Sequence, residues 1–371
     1  MRVLHVIPSV SERSGGPAAA IVPMCGALRA RGVEVVLAST SHGFPPMNTN
    51  SCEEYKGVPV RFFPVQFGES FKYSRPFAAW VAANVRVFDL VHIHAVFNHA
   101  SVAAAAACRN AGVPYVVRPL GTLDPWSMKQ KPVRKRIFWT LLGKPMLRRS
   151  AAVHYTASAE KEATEKYLGL NHGRVIALGV EVNGLPRIQN PQNPYVLSLS
   201  RLHPKKGLDV LIDAFKSRKH DEWRLVIAGD GPTDYVAFLK QKACGSERIA
   251  FTGWVEGERK EELLRGASLF ALPSYRENFG LSALEAMAHG VPVLVTPQVN
   301  LAQGIEAAKA GWIIERDNFG RGLDGLLKDE ADLTKRGRAA YEFAKRYSWE
   351  KTATELIKLY EEVRCSTKSL R

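Results

Sequence analysis

Two glutamates, Glu277 and Glu285, lie eight residues apart in a stretch whose residue types suit binding of a phosphorylated sugar. We predict a helix over 279–288, which would place both carboxylates near one side of its N-terminal half. The backbone amides from Phe279 to Ser282 at its start have no carbonyl partners within the helix and form a ready anion site. Carboxylates that accept sugar hydroxyls, beside a phosphate cradle, suit a sugar joined to a phosphate.

A second group of residues could hold a diphosphate. Arg201 and Lys206, followed by Gly207, come after the strand predicted over 195–199 and before the helix predicted over 208–216. Arginine offers a forked pair of donors and lysine a mobile point charge, and both suit phosphate oxygens. The alternative interpretation is an ordinary solvated loop.

Strands, loops and helices alternate along both halves of the chain, which predicts parallel sheets whose ligands bind at the carboxyl ends of the strands. The first half starts with a strand over 2–7 and a loop that contains Gly15 and Gly16. Two glycines let the backbone approach a ligand phosphate, although a flexible loop that caps a helix is the plainer reading. Residues 180–194, rich in proline and asparagine, are the predicted linker between the halves.

Two histidines lie in the apolar strand predicted over 89–94. By alternation His92 and His94 share one face of this strand. Two such histidines could indicate a metal, but we expect no third ligand nearby, and a buried polar residue is the commoner explanation. We therefore predict no metal site.

The bulk properties narrow the choice of partners. A chain of 371 residues suits two domains. Its 51 Lys and Arg against 36 Asp and Glu give a formal charge of +15, which attracts nucleotides or acidic lipid headgroups. No zinc-finger, RNP or helix-turn-helix signature is present, so we expect no nucleic-acid partner.

The cellular compartment is predicted from the cysteines and the apolar runs. The five cysteines are scattered without a C-x-x-C pair, which predicts reduced thiols and no structural zinc. No apolar run approaches the roughly 18–20 residues of a spanning helix, and the N-terminus reads as a strand rather than a signal peptide. We expect a cytoplasmic protein.

The stretch Pro-Ser-Tyr-Arg-Glu-Asn-Phe-Gly-Leu, with Glu-Ala-Met-Ala-His-Gly-Val-Pro-Val after it, resembles the E-x7-E signature of retaining glycosyltransferases of family 4. The segment Arg-x-x-x-Lys-Lys-Gly matches the same family. The resemblance implies an α/β protein of GT-B fold, with two Rossmann-like parallel-sheet domains facing a central cleft. It implies an acceptor domain over 1–182, a nucleotide-sugar donor domain over 183–347 and a helix over 348–371 that crosses back to the first domain.

The resemblance also implies roles for individual residues. Glu277 would act at the donor sugar with His94, Arg201 and Lys206 would hold the diphosphate, and Glu285 would bind the ribose. The remaining implied donor-binding residues are Gly15, Gly16, Asn278, Phe279, Gly280 and Leu281. The segment Gly253, Trp254 and Val255 resembles the nucleobase-binding segment, with a plain core role as the alternative for Trp254.

The implied activity is retaining, metal-independent transfer of a hexose from a UDP- or GDP-sugar to a glycan or lipid-linked acceptor, in bacterial surface polysaccharide or glycolipid biosynthesis. The nucleotide sugar is a substrate, so no cofactor is expected. The alternatives are a GT-B nucleotide-sugar epimerase and a non-enzymatic nucleotide-binding module. The sequence has no Asp-x-Asp run in a donor loop, which fits metal independence.

The basic, aromatic stretch 129–142 has two interpretations. Basic residues followed by apolar and aromatic ones can bind a membrane surface, which would place the protein peripherally on the cytoplasmic face. The other interpretation is an ordinary helix with a solvated basic face and an aromatic side that faces the core.

Overall fold

Short apolar strands that alternate with helices build two separate sheets in the computed structural model, which describes residues 1–44, 52–123, 128, 132–182, 193–217 and 222–368. Residues 183–192 of the predicted linker and Lys129 and Lys131 of the basic stretch lie outside the described residues. The described part of the chain divides into unit 1, residues 1–179 with 349–371, and unit 2, residues 180–348.

Unit 1 contains an eight-stranded sheet in the order β3-β4-β2-β1-β5-β6-β7-β8. All of its neighbouring strands are parallel except β3 and β4. The strands are β1 (Arg2–Ile7), β2 (Glu34–Thr40), β3 (Cys52–Tyr55), β4 (Val58–Phe63), β5 (Leu90–His94), β6 (Tyr115–Arg118), β7 (Ala152–Tyr155) and β8 (Gly173–Val175).

The helices of unit 1 connect these strands, and the C-terminal helix joins them. They are α1 (Gly16–Ala30), α2 (Arg75–Asn84), α3 (His99–Ala111), α4 (Pro132–Phe138), α5 (Lys144–Arg148), α6 (Ser158–Leu168) and the C-terminal helix (Trp349–Lys368). A π-helical turn, Trp139–Gly143, joins α4 to α5. The C-terminal helix is fixed to unit 1 by the Thr352 hydroxyl, which donates to the Ala177 carbonyl at 2.9 Å.

Unit 2 contains a parallel six-stranded sheet in the order β11-β10-β9-β12-β13-β14. Its strands are β9 (Tyr195–Leu199), β10 (Arg224–Ala228), β11 (Ile249–Gly253), β12 (Leu269–Leu272), β13 (Val293–Val295) and β14 (Gly311–Ile313). Its helices are α7 (Leu208–Lys216), α8 (Thr233–Ala243), α9 (Gly257–Gly266), α10 (Leu281–Ala288), α11 (Ala302–Ala307), α12 (Phe319–Leu326) and α13 (Glu330–Ala344).

The two faces of the first sheet differ in chemistry. Residues such as Leu4, Ile93 and Val117 on one face are fully buried in an apolar core. The opposite face carries His5 and His92, which are also fully buried. Parallel sheets are covered on both faces, so polar groups on either face must find partners inside the protein.

The prediction of two parallel-sheet α/β halves is confirmed. The antiparallel strand β3 was not predicted. One local expectation was wrong. Helix α10 begins at Leu281 rather than 279, because Gly280 before it takes a left-handed φ of +93°. None of the described helices is long and apolar enough to cross a membrane.

Candidate functional site

Two loops at the carboxyl ends of neighbouring strands interlock in unit 2. The Tyr275 amide after β12 donates to the Lys205 carbonyl after β9 at 2.9 Å. Gly207 has a φ of +64°, and a Cβ added there would lie 2.3 Å from the Pro273 carbonyl oxygen. Glycine is therefore needed at 207 for both its conformation and the close approach of the two loops.

This approach brings Lys206 against Glu277. The ammonium nitrogen of Lys206 donates to Oε2 of Glu277, and the side chains are only 17% and 19% exposed. Burial alone would raise the pKa of the Glu277 carboxyl, but the attraction and hydrogen bond of Lys206, with the charges of Lys205 and Arg201, lower it. Glu277 is therefore ionised at neutral pH and sits among three cations.

The backbone around Glu277 is held by the loop that follows β13. The Glu277 amide donates to the Gln298 carbonyl at 3.0 Å, and the Asn300 amide donates to the Glu277 carbonyl at 3.4 Å. The Asn300 side-chain amide also donates to the Asn278 carbonyl at 2.7 Å. Gly280 packs here as well, since a Cβ added to it would lie 2.9 Å from Val299. These contacts fix the carboxylate just before the N-terminus of α10.

Glu285 lies in a different group of contacts. Its Oε1 pairs with the Lys260 ammonium at 2.7 Å, and its backbone carbonyl lies 2.8 Å from Nδ1 of His289. His289 in turn bonds to Glu261 at 2.8 Å. Glu277 thus precedes α10 and Glu285 lies within it, and each carboxylate is paired with its own cation. The sequence reasoning did not find Lys260, Glu261 or His289.

Arg201 and the segment 253–255 lie at the carboxyl ends of β9 and β11, the strands on either side of β10. Arg201 is exposed directly after β9, and the Gly229 amide after β10 donates to the Gly253 carbonyl at 2.8 Å. Gly253 has a φ of +72° and open space around its α-carbon. Trp254 is half-buried, and its indole N–H donates to the exposed Glu256 at 3.2 Å, so Trp254 is not a core residue.

Gly15 and Gly16 lie at the start of α1 in unit 1. Gly15 is the N-cap of this helix with a φ of +99°, and a Cβ added at either glycine would meet no atom within 4 Å. The backbone is therefore open to approach here, which the glycine pair predicts. At this helix start the Ala18 and Ala19 amides donate to the Gly15 carbonyl at 3.0 and 3.3 Å, and Pro17 has no amide hydrogen.

His94 belongs to a buried cluster of histidines in unit 1. As alternation predicts, His92 and His94 share one face of β5, with ring centroids 4.2 Å apart. The expectation that no third ligand lies nearby was wrong, because Nδ1 of His5 on β1 lies 3.0 Å from Nε2 of His94. Side-chain nitrogens of His5, His92 and His94 all lie within 4.8 Å of one another.

Further buried polar groups that the sequence analysis did not single out surround these rings. His154, Arg118 and Tyr360 are fully buried, and Glu160 is 2% exposed. Burial first, and the Arg118 charge second, lower the pKa of His154 and of His5 to about 3. Burial also lowers the pKa values of His92 and His94 well below their ordinary range. All four rings are therefore neutral at pH 7.

Family comparisons match both units. The sequence model described as "Glycosyl transferase 4-like domain" matches residues 15–181, and that described as "Glycosyl transferases group 1" matches residues 186–343. An uncharacterised glycosyltransferase of Methanocaldococcus jannaschii is 33% identical over 45% of this chain and 44% of its own length. The first three curated relatives are each matched over less than half of their own length.

Other comparisons extend over nearly the whole chain. The phosphatidyl-myo-inositol mannosyltransferase of Mycobacterium leprae is 26% identical over 99% of this chain and 98% of its own length. The fold is shared with Anabaena HepE, solved in complex with UDP-glucose, at a TM-score of 0.78, with 21% identity over 98% of this chain and 100% of that one. Both units thus match glycosyltransferase models, and the chain belongs to the family 4 glycosyltransferases of GT-B fold.

Proposed function

We propose that this protein transfers a hexose from a nucleotide-sugar donor to an acceptor, and that unit 2 binds the donor. The observation that carries the proposal is the Lys206–Glu277 pair, set beside Arg201 and the N-terminus of α10. Departure of the nucleotide builds negative charge on the diphosphate. Lys206, Arg201 and the first amides of α10 are placed to stabilise that charge.

The carboxylate of Glu277 has a separate task in this proposal. It accepts hydroxyls of the donor sugar while Lys206 moves from the carboxylate to the incoming diphosphate. Glu285, whose carboxylate is paired with Lys260, accepts the ribose hydroxyls. Gly253 to Val255 of unit 2 receive the base. For unit 1 the proposal is separate: His94, Gly15 and Gly16 bind substrate there.

The proposed donor is a UDP- or GDP-sugar. Anabaena HepE, with which the fold is shared, was solved with UDP-glucose, and this supports the uridine donor first. Two cations and a helix terminus supply the positive charge that a divalent metal supplies elsewhere, so we propose metal-independent transfer. We also propose retention of the anomeric configuration, as the E-x7-E signature implies.

The acceptor is proposed to be a glycan or a lipid-linked glycan at a membrane surface. In and after α4, Val133, Ile137 and Leu141 recur every four residues and are 70%, 57% and 67% exposed. Phe138 on the same segment packs against Phe97, with ring centroids 5.2 Å apart. The segment thus divides into an aromatic side that is packed and an aliphatic stripe that is open, which suits insertion at a bilayer interface.

Basic residues make an anionic bilayer the matching surface for this stripe. Arg136 in α4, and Arg148 and Arg149 at the end of α5, are exposed. Ile137→Glu with Leu141→Glu should abolish co-sedimentation with phosphatidylglycerol vesicles, while Phe238→Glu, at a 46% exposed position in unit 2, should leave it unchanged. Equal vesicle binding by the double variant would refute the membrane contact without touching the transferase proposal.

The transferase proposal is tested by incubation with radiolabelled UDP-glucose, UDP-galactose and GDP-mannose, each with p-nitrophenyl glycosides or glycolipid vesicles as acceptor. We expect label to move to an acceptor with one donor, in the presence of EDTA, with the donor's anomeric configuration kept in the product. Label that changes its sugar identity while still attached to the nucleotide would indicate an epimerase. Donor binding without any turnover would indicate a binding module.

A further inference from the structure

Four buried histidines and Tyr360 in unit 1 are connected in a single line. His154 Nε2 lies 2.8 Å from the Ile176 carbonyl oxygen, and His154 Nδ1 lies 3.3 Å from His92 Nε2. His92 Nδ1 lies 2.7 Å from the Tyr360 hydroxyl. That hydroxyl lies 3.5 Å from His5 Nε2, and His5 Nδ1 lies 3.0 Å from His94 Nε2.

The direction of this line is fixed at its Ile176 end. A carbonyl oxygen only accepts, so His154 carries its proton on Nε2. A neutral imidazole has one donor and one acceptor, so Nδ1 of His154 accepts, and His92 must donate to it from Nε2. The hydroxyl of Tyr360 then donates to Nδ1 of His92.

The donors and acceptors between Tyr360 and His94 can be assigned in the same way. The Tyr360 oxygen accepts from Nε2 of His5, which leaves Nδ1 of His5 to accept from Nε2 of His94. All four imidazoles therefore carry their protons on Nε2. Nδ1 of His94 is left as a fully buried lone pair with no hydrogen-bond partner in the part of the chain that the structure describes.

We propose that this line of side chains, from the Ile176 carbonyl through His154, His92, Tyr360 and His5, is a positioning relay that holds His94 in one tautomer. Tyr360 is its key member, because the histidines lie on strands of the sheet and only Tyr360 comes from the C-terminal helix. It is the one link that both donates to one histidine and accepts from another. The relay presents His94 Nδ1 as an acceptor for a hydroxyl or N–H group.

A divalent metal held by His5, His92 and His94 is the competing account. A metal takes the lone pair of each ligand nitrogen. Along the relay, the Nδ1 lone pairs of His5 and His92 already accept hydrogen bonds. Among these three histidines, only the Nδ1 lone pair of His94 accepts none. The hydrogen-bond geometry thus favours the relay over a three-histidine metal site.

The charge of Arg118 favours the neutral form of the relay histidines. It is fully buried and is the register neighbour of His94 across β5 and β6. Its positive charge opposes protonation of every ring in the cluster. A charged histidine would have two donors and would reverse the line at that ring, so the fixed direction requires that no ring becomes charged.

Nitrogen-15 NMR of histidine-labelled protein tests the relay, since ring nitrogen shifts separate the two tautomers, the charged form and metal ligation. In the wild type we expect His5, His92, His94 and His154 as Nε2–H tautomers from pH 6 to 8. In Tyr360→Phe the hydroxyl is lost, and His5 and His94 should become mixtures of tautomers. Shifts typical of metal ligation, or unchanged His94 signals in Tyr360→Phe, would overturn the relay.

Three further variants separate the relay from packing. Tyr115→Phe removes another buried phenol of unit 1, one that donates to the Met146 carbonyl at 2.8 Å, and should leave the His94 tautomer unchanged. His154→Gln should also preserve the single His94 tautomer, because a carboxamide can donate to the Ile176 carbonyl and accept from His92. His154→Leu can do neither, so His94 should become a mixture of tautomers. If Tyr360→Phe does not fold, this Gln and Leu pair decides the question, and equal spectra for both would refute the relay.

The kinetic consequence rests on the proposed function. For sugar transfer, Tyr360→Phe should lower kcat about tenfold, because a misplaced group distant from the chemistry can cost this much. The KM for the donor should change little. If the wild type turns over no donor, the proposed function is refuted. The NMR experiment still decides whether the relay exists.

Discussion

The two units accommodate buried polar side chains in different ways. Unit 2 pairs opposite charges: Lys206 with Glu277 on loops at strand ends, and Lys260 with Glu285 on helices α9 and α10. Unit 1 instead buries four neutral imidazoles in the middle of its sheet beside one fully buried guanidinium, Arg118. A charged residue of such a pair can bind an ionic ligand in place of its partner. The hydrogen bonds of the neutral cluster can only be kept or lost.

The largest expected effect is acid unfolding of unit 1. The four histidines have folded pKa values below the ordinary 6.5, so the unfolded state binds more protons once the pH falls below 6.5, and stability is lost from there down to the folded values. Each ring contributes about 1.4 kcal/mol per pH unit, so four contribute on the order of 5 kcal/mol per pH unit.

Hydrogen exchange at pH 7, 6 and 5 measures this loss in each unit separately. Amides of β1 and β5 should lose protection steeply as the pH falls, since the loss rivals the whole stability of a typical domain. His154→Gln should flatten the dependence by about one quarter. Equal pH dependence of β1 and β9 amides would contradict the contrast between the units.

The second effect is the coupling of Lys206 to Glu277. Lys206→Ala leaves a largely buried carboxylate without its main cation, and we expect a loss of about 2–3 kcal/mol in the free energy of unfolding. Lys345→Ala removes a cation from an exposed pair with Glu342, in which the side chains are 49% and 64% exposed, and should cost about 0–0.5 kcal/mol.

A double-mutant cycle with Glu277→Gln isolates the coupling, since the double variant should be more stable than the two separate losses predict. Urea unfolding at pH 7 provides the four free energies. Strictly additive losses would mean that the pair contributes no coupling, and Lys206 would then act on stability through other contacts.

The third effect tests the interlocked loops of unit 2. Gly207→Ala should cost about 2 kcal/mol, because the left-handed backbone is strained for alanine and the new Cβ meets a backbone oxygen that cannot rotate away. Gly257→Ala is the matched control, with a φ of +56° and no atom within 4 Å, and should cost only about 1 kcal/mol. Thermal unfolding compares the two, and equal losses would show that the loop contact is not tight.

The smallest effect is the pH response of His289. Burial lowers the pKa of His289, but its bonds to Glu261 and to the Glu285 carbonyl outweigh burial and raise it. The stabilisation is therefore complete below pH 6.5 and is lost as the pH rises through the folded value. Stability of unit 2 should fall by less than about 1 kcal/mol between pH 6 and 8, and His289→Gln should abolish this change. A fall that persists in the variant would assign it to another group.

The contrast between the units also explains how far the sequence could be interpreted. The candidate site in unit 2 is built from two short stretches, 201–207 with Arg201 and Lys206 and 273–292 with the glutamates and the helix start. Local spacing therefore singled out each stretch, and the structure adds the contact of Lys206 with Glu277. Lys260 and His289 were missed because their partners, Glu285 and Glu261, become visible only when α9 and α10 lie side by side.

The cluster in unit 1 has no such local pattern. Alternation in β5 placed His92 and His94 on one face, but His5 and Tyr360 lie 89 and 268 residues from their histidine partners. Strand order brings β1, β5, β6 and β7 together, and strand order cannot be obtained from spacing. His5 in the first strand was one available signal, because a histidine in an otherwise apolar parallel strand must find a buried partner.

We propose that Lys206, Arg201 and the N-terminus of α10 bind the diphosphate of a nucleotide sugar. Isothermal titration of wild type, Lys206→Ala and Lys345→Ala with UDP-glucose, UDP and GDP-mannose measures this binding. We expect saturable binding of one nucleotide class, weakened at least about tenfold in Lys206→Ala and unchanged in Lys345→Ala. Binding that is equally tight in Lys206→Ala, or no binding by the wild type, would contradict it.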